Sequence, residues 1–343
     1  MTISLSHRTQ LLRNLATRRG FMGAGIARAE YMEPEADRLE TWLNKGYHGE
    51  MHYMANHFDL RVDPAKLVPG AKSVICLQYN YYPQENLVPP SKEVEGVEEN
   101  DASHPGSEFT SHPSPLTLHS SPLTPFRISR YAYGEDYHKV VRRKLKALVR
   151  DLKEEIGDFN ARVFVDSAPV MERDWAKRAG QGWIGKNTLL IHPKKGSYFF
   201  LAEIILDVEF EYDHPIKDHC GTCTKCIDAC PTEAISPEGY LMDGSKCISY
   251  LTIELKSAIP DTFKDQMEDW IFGCDICQEV CPWNRFSTPH TEPAFTPSEQ
   301  LQAMNNEDWL GLREEVFDEL FAKSAVKRAG YEKLQETISF VSK

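Results

Sequence analysis

The spacing of the cysteines constrains this chain more than any other feature of its sequence. Eight of the nine cysteines lie between residues 220 and 281, in two runs that each end in a Cys-Pro pair. The runs are Cys220-x2-Cys223-x2-Cys226-x3-Cys230-Pro231 and Cys274-x2-Cys277-x3-Cys281-Pro282, the latter preceded by Cys247. Three thiolates at this spacing wrap one face of a cubane iron–sulfur cluster, and the cysteine before proline ligates the other cluster of a pair. The sequence therefore predicts a module built around two 4Fe–4S clusters.

This crosswise pattern divides the eight thiolates into two ligand sets. One cluster is expected to bind Cys220, Cys223, Cys226 and Cys281, and the other to bind Cys230, Cys247, Cys274 and Cys277. The alternative is zinc, which prefers two CxxC pairs and requires neither the third cysteine nor the Cys-Pro ends. Clustered cysteines without a secretory signal argue against a disulfide framework and for a reducing compartment.

Length and charge limit what the rest of the chain can be. Its 343 residues suggest two or three domains, and 41% hydrophobic with 26% charged residues are typical of a globular protein. No apolar run reaches the roughly 18 residues of a membrane span. Arg18-Arg19 resembles the start of a twin-arginine export signal, but residues 23–40 are charged rather than apolar, so export is disfavoured.

Hydrophobic periodicity predicts alternating helices and strands before the cysteines. The expected helices include 42–54, 136–157 and 170–179, and the expected strands are 73–82, 162–165 and 198–208. Residues 83–125 are rich in proline, serine and acidic residues, and we expect them to form a flexible excursion. The cysteine module occupies 216–290, and residues 296–343 are expected to be helical. This alternation favours an α/β or α+β layered architecture.

The long segment before the cysteines indicates that the electrons serve chemistry located there. No GxGxxG follows a strand and no phosphate-binding P-loop occurs, so a nucleotide cofactor is not indicated. Asp136-x-His138 resembles the start of a cobalamin motif that supplies a histidine ligand to cobalt. The glycine of that motif is replaced by Val141, and the pair opens a helix, where Asp136 has an ordinary N-terminal role.

Several stretches of the sequence resemble the epoxyqueuosine reductase family. They are residues 42–51, 129–138, 165–169, 182–190, 247–254 and 324–331, and the resemblance extends over roughly residues 10–290. It implies an α+β fold in which an N-terminal α/β cobalamin-binding domain, similar to the reductive dehalogenase core, is fused to a ferredoxin-like two-cluster domain. The implied parts are 1–215, with the flexible loop 83–125, then 216–290, and a short helical tail at 291–343.

The resemblance also implies an activity. Members of the family reduce the epoxide of epoxyqueuosine to the alkene of queuosine at the wobble position of tRNA, the last step of queuosine biosynthesis. Cobalamin, two clusters and an external low-potential electron donor are implied, in a cytoplasmic, monomeric enzyme with no membrane partner. The loop at 83–125 is longer than the family pattern suggests, and the chain stops near the point where many relatives add helical repeats.

Removing an epoxide oxygen requires an acid beside the cofactor. Asp166 is the candidate acid because it directly follows an apolar strand, at the end where open α/β sheets place their ligands. Its alternative role is a helix cap, and Asp136 is the second candidate. If Asp166 is the acid, burial beside the corrin should raise its pKa. The corrin contacts that the resemblance implies are Arg61, Ser129, Asp166, Asn187, Thr188, Leu190, Leu201 and Ser249.

Charge is distributed unevenly in this acidic chain. The net charge is −12, yet residues 127–195 contain 16 Lys and Arg against 9 Asp and Glu, a local +7. A local basic face favours RNA binding, although a solvated helix face explains each single residue equally well. The candidate phosphate contacts are Arg142, Arg143, Lys144, Lys146, Lys323, Lys327 and Arg328.

Two other functions remain open at this point. The first is a reductive dehalogenase-like cobalamin enzyme acting on a small molecule, for which an export signal is expected and the basic tail has no use. The second is a two-cluster electron-transfer protein, which leaves the polar stretches around Asp166 and Asn187 without a role.

Overall fold

The N-terminal part of the protein is built on an antiparallel sheet. The computed structural model describes residues 4–84 and 126–342. The strands are β1 (Gly23–Arg28), β2 (Ser73–Asn80), β3 (Arg127–Ile128), β4 (Ala161–Phe164), β5 (Trp183–Ile184), β6 (Leu190–Ile191), β7 (Phe199–Leu206) and β8 (Trp270–Phe272). Four of them form one sheet in the order β1-β2-β7-β4, and every neighbouring pair is antiparallel.

Helices cover both faces of this sheet and continue to the end of the chain. Those of the N-terminal part are α1 (Leu5–Arg18), α2 (Glu33–Asn44), α3 (Phe58–Val62), α4 (Pro64–Leu67), α5 (Tyr137–Ile156) and α6 (Glu172–Arg178). The later ones are α7 (Lys225–Asp228), α8 (Ile248–Ile253), α9 (Ile276–Glu279), α10 (Glu299–Ala303), α11 (Asn306–Leu310), α12 (Glu314–Leu320) and α13 (Tyr331–Val341).

The central strand β7 supplies side chains to two separate cores, because alternate residues of a strand point to opposite faces. Phe200, Ala202 and Ile204 pack in a core with α1 and α5. Phe199 and Ile205 pack on the other face with α2 and α6. By the same alternation, Glu203 points to the face of the sheet that α6 covers. Its carboxyl group is wholly buried there.

The cysteine module is joined to the N-terminal part by a short parallel strand pair. β3 pairs with β8, which lies just before Cys274. The helical tail packs on this pair, because Phe317, Phe321 and Leu334 share a core with Ile128 and Phe272. The module, the tail and the segment that precedes α5 are therefore held in one packed assembly.

The α+β class is confirmed, but two details expected from the sequence are wrong. Strand β1 was missed because Gly23-Ala-Gly-Ile-Ala-Arg28 has few of the bulky residues typical of strands. The helix expected at 42–54 ends at Asn44, since Gly46 and Gly49 adopt positive φ angles that interrupt it. Residues 85–125 of the expected excursion lie outside the described residues.

The sheet direction also corrects the argument used to place Asp166. An antiparallel sheet has no common carboxyl edge, so the rule for open parallel sheets does not apply here.

Helices of the described ranges are all too short or too polar to cross a membrane.

Candidate active site and iron–sulfur module

Asp166 follows the end of β4 in a strained backbone conformation. Its φ angle is +56°, in the left-handed region that few residues with a side chain adopt. Its Oδ2 accepts a hydrogen bond from Tyr137 Oη at 2.5 Å and lies 3.2 Å from His138 Nε2. The side chain is 56% exposed, so it can meet a substrate.

These donors determine the protonation of Asp166. Desolvation acts to raise the pKa of Asp166, but the hydrogen bonds from His138 and Tyr137 outweigh it and hold the pKa below its usual value. In the protein chain by itself the neighbouring side chains stabilise the carboxylate, and the rise in pKa expected from burial beside a corrin stays a prediction.

Asp136 orients the histidine that faces Asp166. Its Oδ1 caps α5 by accepting from His138 N at 3.0 Å, and it lies 2.7 Å from His138 Nδ1. Burial acts to lower the pKa of His138, yet the two carboxylates outweigh it and raise this pKa. Asp136, His138 and Asp166 thus form a continuous hydrogen-bonded chain in which the two carboxylates favour the protonated imidazole.

Two further segments border this site. Arg328 of the tail places Nη1 3.0 Å from His138 Nε2, and its charge also lowers the pKa of Asp166. Tyr53 is 48% exposed, and burial, Glu254 and Asp166 raise its pKa to about 12. Arg61 donates to Tyr53 O at 2.8 Å, which fixes the segment that carries this ring.

The first predicted cysteine set lines one cavity. Cys220, Cys223, Cys226 and Cys281 face it, together with Asn187, His219 and Trp283. Burial and the thiols of Cys281, Cys220 and Cys223 raise the pKa of Cys226 to about 11, because the four side chains lie close together. This is the donor set that a cubane cluster requires.

The second set lies next to the first. Burial and the neighbouring thiols of Cys247 and Cys230 raise the pKa of Cys277, and burial with Cys277 and Cys247 does the same for Cys274. Cys226 of the first set also contributes to the pKa of Cys277, so the two sets are adjacent. The chain thus brings together the thiols that the crosswise pattern groups, and their chemistry fits two clusters.

A polar loop connects the second cysteine set to the helix that follows Asp166. Asn187 is buried, and its Nδ2 donates to Cys277 O at 3.2 Å. Thr188 has φ +63°, an outlier for a β-branched residue, and its carbonyl accepts from Arg173 Nη1 of α6 at 2.5 Å. Such strain is concentrated at functional sites.

The other predicted corrin contacts fall into two groups. Arg61 borders Tyr53, Ser249 hydrogen-bonds Cys247, and Leu201 is partly buried on β7. Ser129 and Leu190 are each only 3% exposed, and Ser129 Oγ donates to Asp275 Oδ1 at 2.5 Å. Contact of the first group, together with Asn187 and Thr188, with a corrin stays a prediction, whereas Ser129 and Leu190 offer a ligand little surface.

Sequence reasoning missed three residues of the site. Tyr137 and His138 directly follow Asp136, so their adjacency was a usable signal, but His138 was considered as a cobalt ligand instead. Arg328 was considered as a phosphate contact, because nothing local reveals that the tail returns to His138 across a separation of 190 residues.

Two adjacent sets of four cysteines with the donor chemistry of paired 4Fe–4S clusters are typical of an iron–sulfur oxidoreductase. A family profile described as "4Fe-4S double cluster binding domain" matches residues 219–284. Another, described as "Epoxyqueuosine reductase QueG, DUF1730", matches residues 61–104 and 108–167. The chain is 52% identical to an epoxyqueuosine reductase of Cyclobacterium marinum over 339 residues, 98% of each chain. It therefore belongs to the epoxyqueuosine reductase family, and the resemblance seen in the sequence is confirmed.

Solved structures of the family share this architecture. A crystal structure of epoxyqueuosine reductase with an epoxyqueuosine-modified tRNA-Tyr stem loop has a TM-score of 0.79 and 30% identity, covering 97% of this chain and 80% of that one. A structure of the Bacillus subtilis enzyme, whose catalytic aspartate loop is swung out of the active site, has a TM-score of 0.79 and 29% identity. It covers 97% of this chain and 81% of its own.

Proposed function

We propose that the protein reduces epoxyqueuosine to queuosine in the anticodon loop of tRNA, with cobalamin, two 4Fe–4S clusters and Asp166 as proton donor. The observation that carries this proposal is the hydrogen-bonded chain from Asp136 through His138 to Asp166. It ends on an exposed carboxyl and is connected through α6 and Asn187 to the second cysteine set. The catalytic aspartate loop of the B. subtilis relative supports an aspartate in this role.

Cobalamin, when bound, supplies low-potential electron chemistry that no side chain provides. The residues that would hold it are Arg61, Asn187, Thr188, Leu201 and Ser249, and Ser129 and Leu190 are buried members of the proposed set. The clusters would be held by the two cysteine sets, and such clusters reach potentials as low as about −700 mV. An external low-potential donor must supply the electrons.

Converting an epoxide to an alkene breaks two C–O bonds, consumes two electrons and two protons, and releases water. Asp166 and His138 hold a shared proton between Oδ2 and Nε2, and Asp166 is the member exposed to substrate. We assign Asp166 to the delivery of this proton and His138 to its replacement, because Asp136 fixes the histidine ring with Nε2 towards Asp166.

The basic face of α5 is the proposed contact for the tRNA backbone. A surface groove is lined by Lys139, Arg142, Arg143, Lys146 and Arg150. Arg142 Nη2 donates to Ser167 Oγ at 3.1 Å, so this groove adjoins the Asp166 loop. The wobble base would have to leave its stack to reach the acid.

Not every predicted phosphate contact is equally available. Lys144 is tied to Glu292 at 2.7 Å, Lys327 pairs with Asp318, and Arg328 contacts His138. Lys323 is 80% exposed and lies 3.9 Å from Glu135. Arg143 and Lys146 are the exposed members that remain beside the groove.

Replacing both Arg143 and Lys146 with alanine should weaken tRNA binding several-fold. Because each phosphate contact releases about one counterion, the slope of log affinity against log salt should become shallower by about 2. Binding of tRNA measured by anisotropy across a salt series tests this. The double variant Lys256→Ala/Lys264→Ala removes the same charge from the cysteine module and serves as the control. Equal salt slopes for the two double variants would contradict the proposed surface.

Anaerobic preparation tests the function as a whole. We expect a corrin spectrum, about eight iron atoms per chain and turnover that requires epoxyqueuosine-containing RNA. Full iron content with no affinity for cobalamin would identify an electron-transfer protein instead. Turnover of small organohalides without RNA would identify a dehalogenase.

The remaining assignments follow from this activity. We propose a catalytic part at 1–215, a two-cluster part at 216–290 and a tail at 291–343 that completes the site through Arg328. We also propose that the protein acts as a monomer in the cytoplasm, where tRNA is modified.

A further inference from the structure

A carboxyl group without a donor lies in the middle of the sheet. Glu203 is 0% exposed on β7, opposite Cys76 of β2 on one side and Phe164 of β4 on the other. Among the described residues, no N–H group and no hydroxyl of Ser, Thr or Tyr donates a hydrogen bond to either of its oxygens. An ionised carboxylate in such surroundings would carry a large desolvation penalty.

The group that faces Glu203 is a second carboxyl. Glu172 begins α6, the helix that covers this face of the sheet, and it is close enough to Glu203 for a side-chain hydrogen bond. Two carboxyls can hydrogen-bond only if one of them carries a proton. Burial and the charge of Asp166 raise the pKa of Glu172 to about 8, and burial with the charge of Glu172 raises the pKa of Glu203 well above its usual value.

Glu172 also contacts the candidate acid. Its Oε1 accepts a hydrogen bond from the backbone N–H of Asp166 at 2.5 Å. This amide belongs to the residue with φ +56°, so the hydrogen bond supports an unfavourable backbone conformation. That conformation directs the Asp166 carboxyl towards Tyr137 and His138.

We propose that Glu172 and Glu203 share one proton, and that this carboxyl pair is the positioning device that holds Asp166 in its active conformation. Glu203 is fixed by the sheet, the shared proton ties Glu172 to it, and Glu172 Oε1 holds the Asp166 amide. Glu172 and Glu203 are positioning residues, since neither reaches the exposed end of Asp166. The inference rests on the proposed function only in naming Asp166 as the acid.

Other titratable groups surround the pair. Asp166 lies after β4, Cys76 on β2, and Tyr137 and His138 on α5. Asp166 adds negative charge and so favours retention of the shared proton, whereas His138 opposes it. Loss of the proton at alkaline pH would place two carboxylates in contact, and their repulsion would release Glu172 from Glu203 and weaken its hold on Asp166.

The shared proton can be detected directly. Difference infrared spectra of the anaerobic holoenzyme at pH 7 should show a protonated carboxylic acid that is absent from Glu172→Gln/Glu203→Gln. The control is Glu35→Gln, because Glu35 is similarly buried but already pairs with Arg178 at 2.6 Å. It should leave the band unchanged. An identical band in the double variant and the parent would overturn the proposal.

The positioning role is tested by amide hydrogen exchange in the Asp166 segment. Glu172→Ala should accelerate exchange there by at least tenfold, whereas Glu172→Gln should retain protection, because its amide oxygen still accepts from Asp166 and its NH2 group donates to Glu203. Turnover should fall in parallel with lost protection. Equal protection in the alanine and glutamine variants would overturn the proposal. If protection is lost but turnover is unchanged, the proposed role of the carboxyl pair stands, and Asp166 is excluded as the acid.

The pH dependence of stability gives a second readout. The pKa of Glu172 is raised from 4.5 to about 8, so the stabilisation due to the bound proton is complete below pH 4.5 and is lost as pH rises through about 8. The melting temperature of the parent should therefore fall by several degrees over this range relative to that of Glu172→Gln/Glu203→Gln. Parallel curves for the two proteins would exclude a shared proton.

Discussion

Replacing Asp166 with asparagine should lower turnover of epoxyqueuosine in tRNA by roughly 10²- to 10⁴-fold, the usual contribution of a general acid. Asparagine can still accept from Tyr137 Oη, so the loop should keep its conformation. It cannot deliver the proton that His138 shares with the carboxyl. Single-turnover assays with reduced enzyme would measure the chemical step directly.

The matched control for this variant is Asp158→Asn. Asp158 has a side chain that is 97% exposed in the turn after α5, and its only recorded partner among the described residues is Lys153. Iron content, cobalamin binding and melting temperature should be unchanged in both variants. Full activity of Asp166→Asn would exclude this residue as the acid and direct attention to Asp136 and His138.

Replacing Cys274 with alanine should remove one cluster and abolish turnover. The crosswise assignment leaves the first set of cysteines complete, so iron should fall from about eight to about four atoms per chain. The antiparallel sheet and the Asp166 loop do not depend on this thiol, so cobalamin should still bind. Iron analysis and low-temperature electron paramagnetic resonance of the reduced protein measure the loss.

Cys76→Ala is the comparison that separates ligation from the mere loss of a thiol. Cys76 is wholly buried in β2, far in sequence from the module, and burial raises its pKa as expected for an inert apolar thiol. This variant should retain about eight iron atoms. An unchanged iron content in Cys274→Ala would disprove the assignment of Cys274 to the second cluster.

The elements with strong local signals could be predicted from the sequence. The cysteine spacing reflects the geometry of a cluster directly, and α5, β2 and β7 have long, regular apolar patterns. Asp166 was proposed as the acid from its position after a short apolar strand and from the family resemblance, and this role stays a prediction although the sheet is antiparallel. The rule for open parallel sheets therefore no longer supports this choice, and the family resemblance remains as its basis.

Features formed by distant parts of the chain could not be predicted in this way. The approach of Arg328 to His138 depends on how the tail packs on β8, and a local pattern contains no information about that contact. The group that faces Glu203 could not be predicted either, because a glutamate within an apolar strand pattern gives no indication of its partner. In both cases the decisive quantity is a spatial neighbour set by tertiary packing.

The pairing of β3 with β8 has a consequence for protein engineering. The two strands come from opposite sides of the proposed boundary at residue 215, and the tail covers both. A fragment that ends at residue 215 would expose Ile128 to water. A fragment that begins at residue 216 would lose β3, the strand that pairs with Phe272. Exchange of this electron-carrying half between homologues should therefore succeed only when the segment from 126 to 132 and the C-terminal helices are transplanted with it.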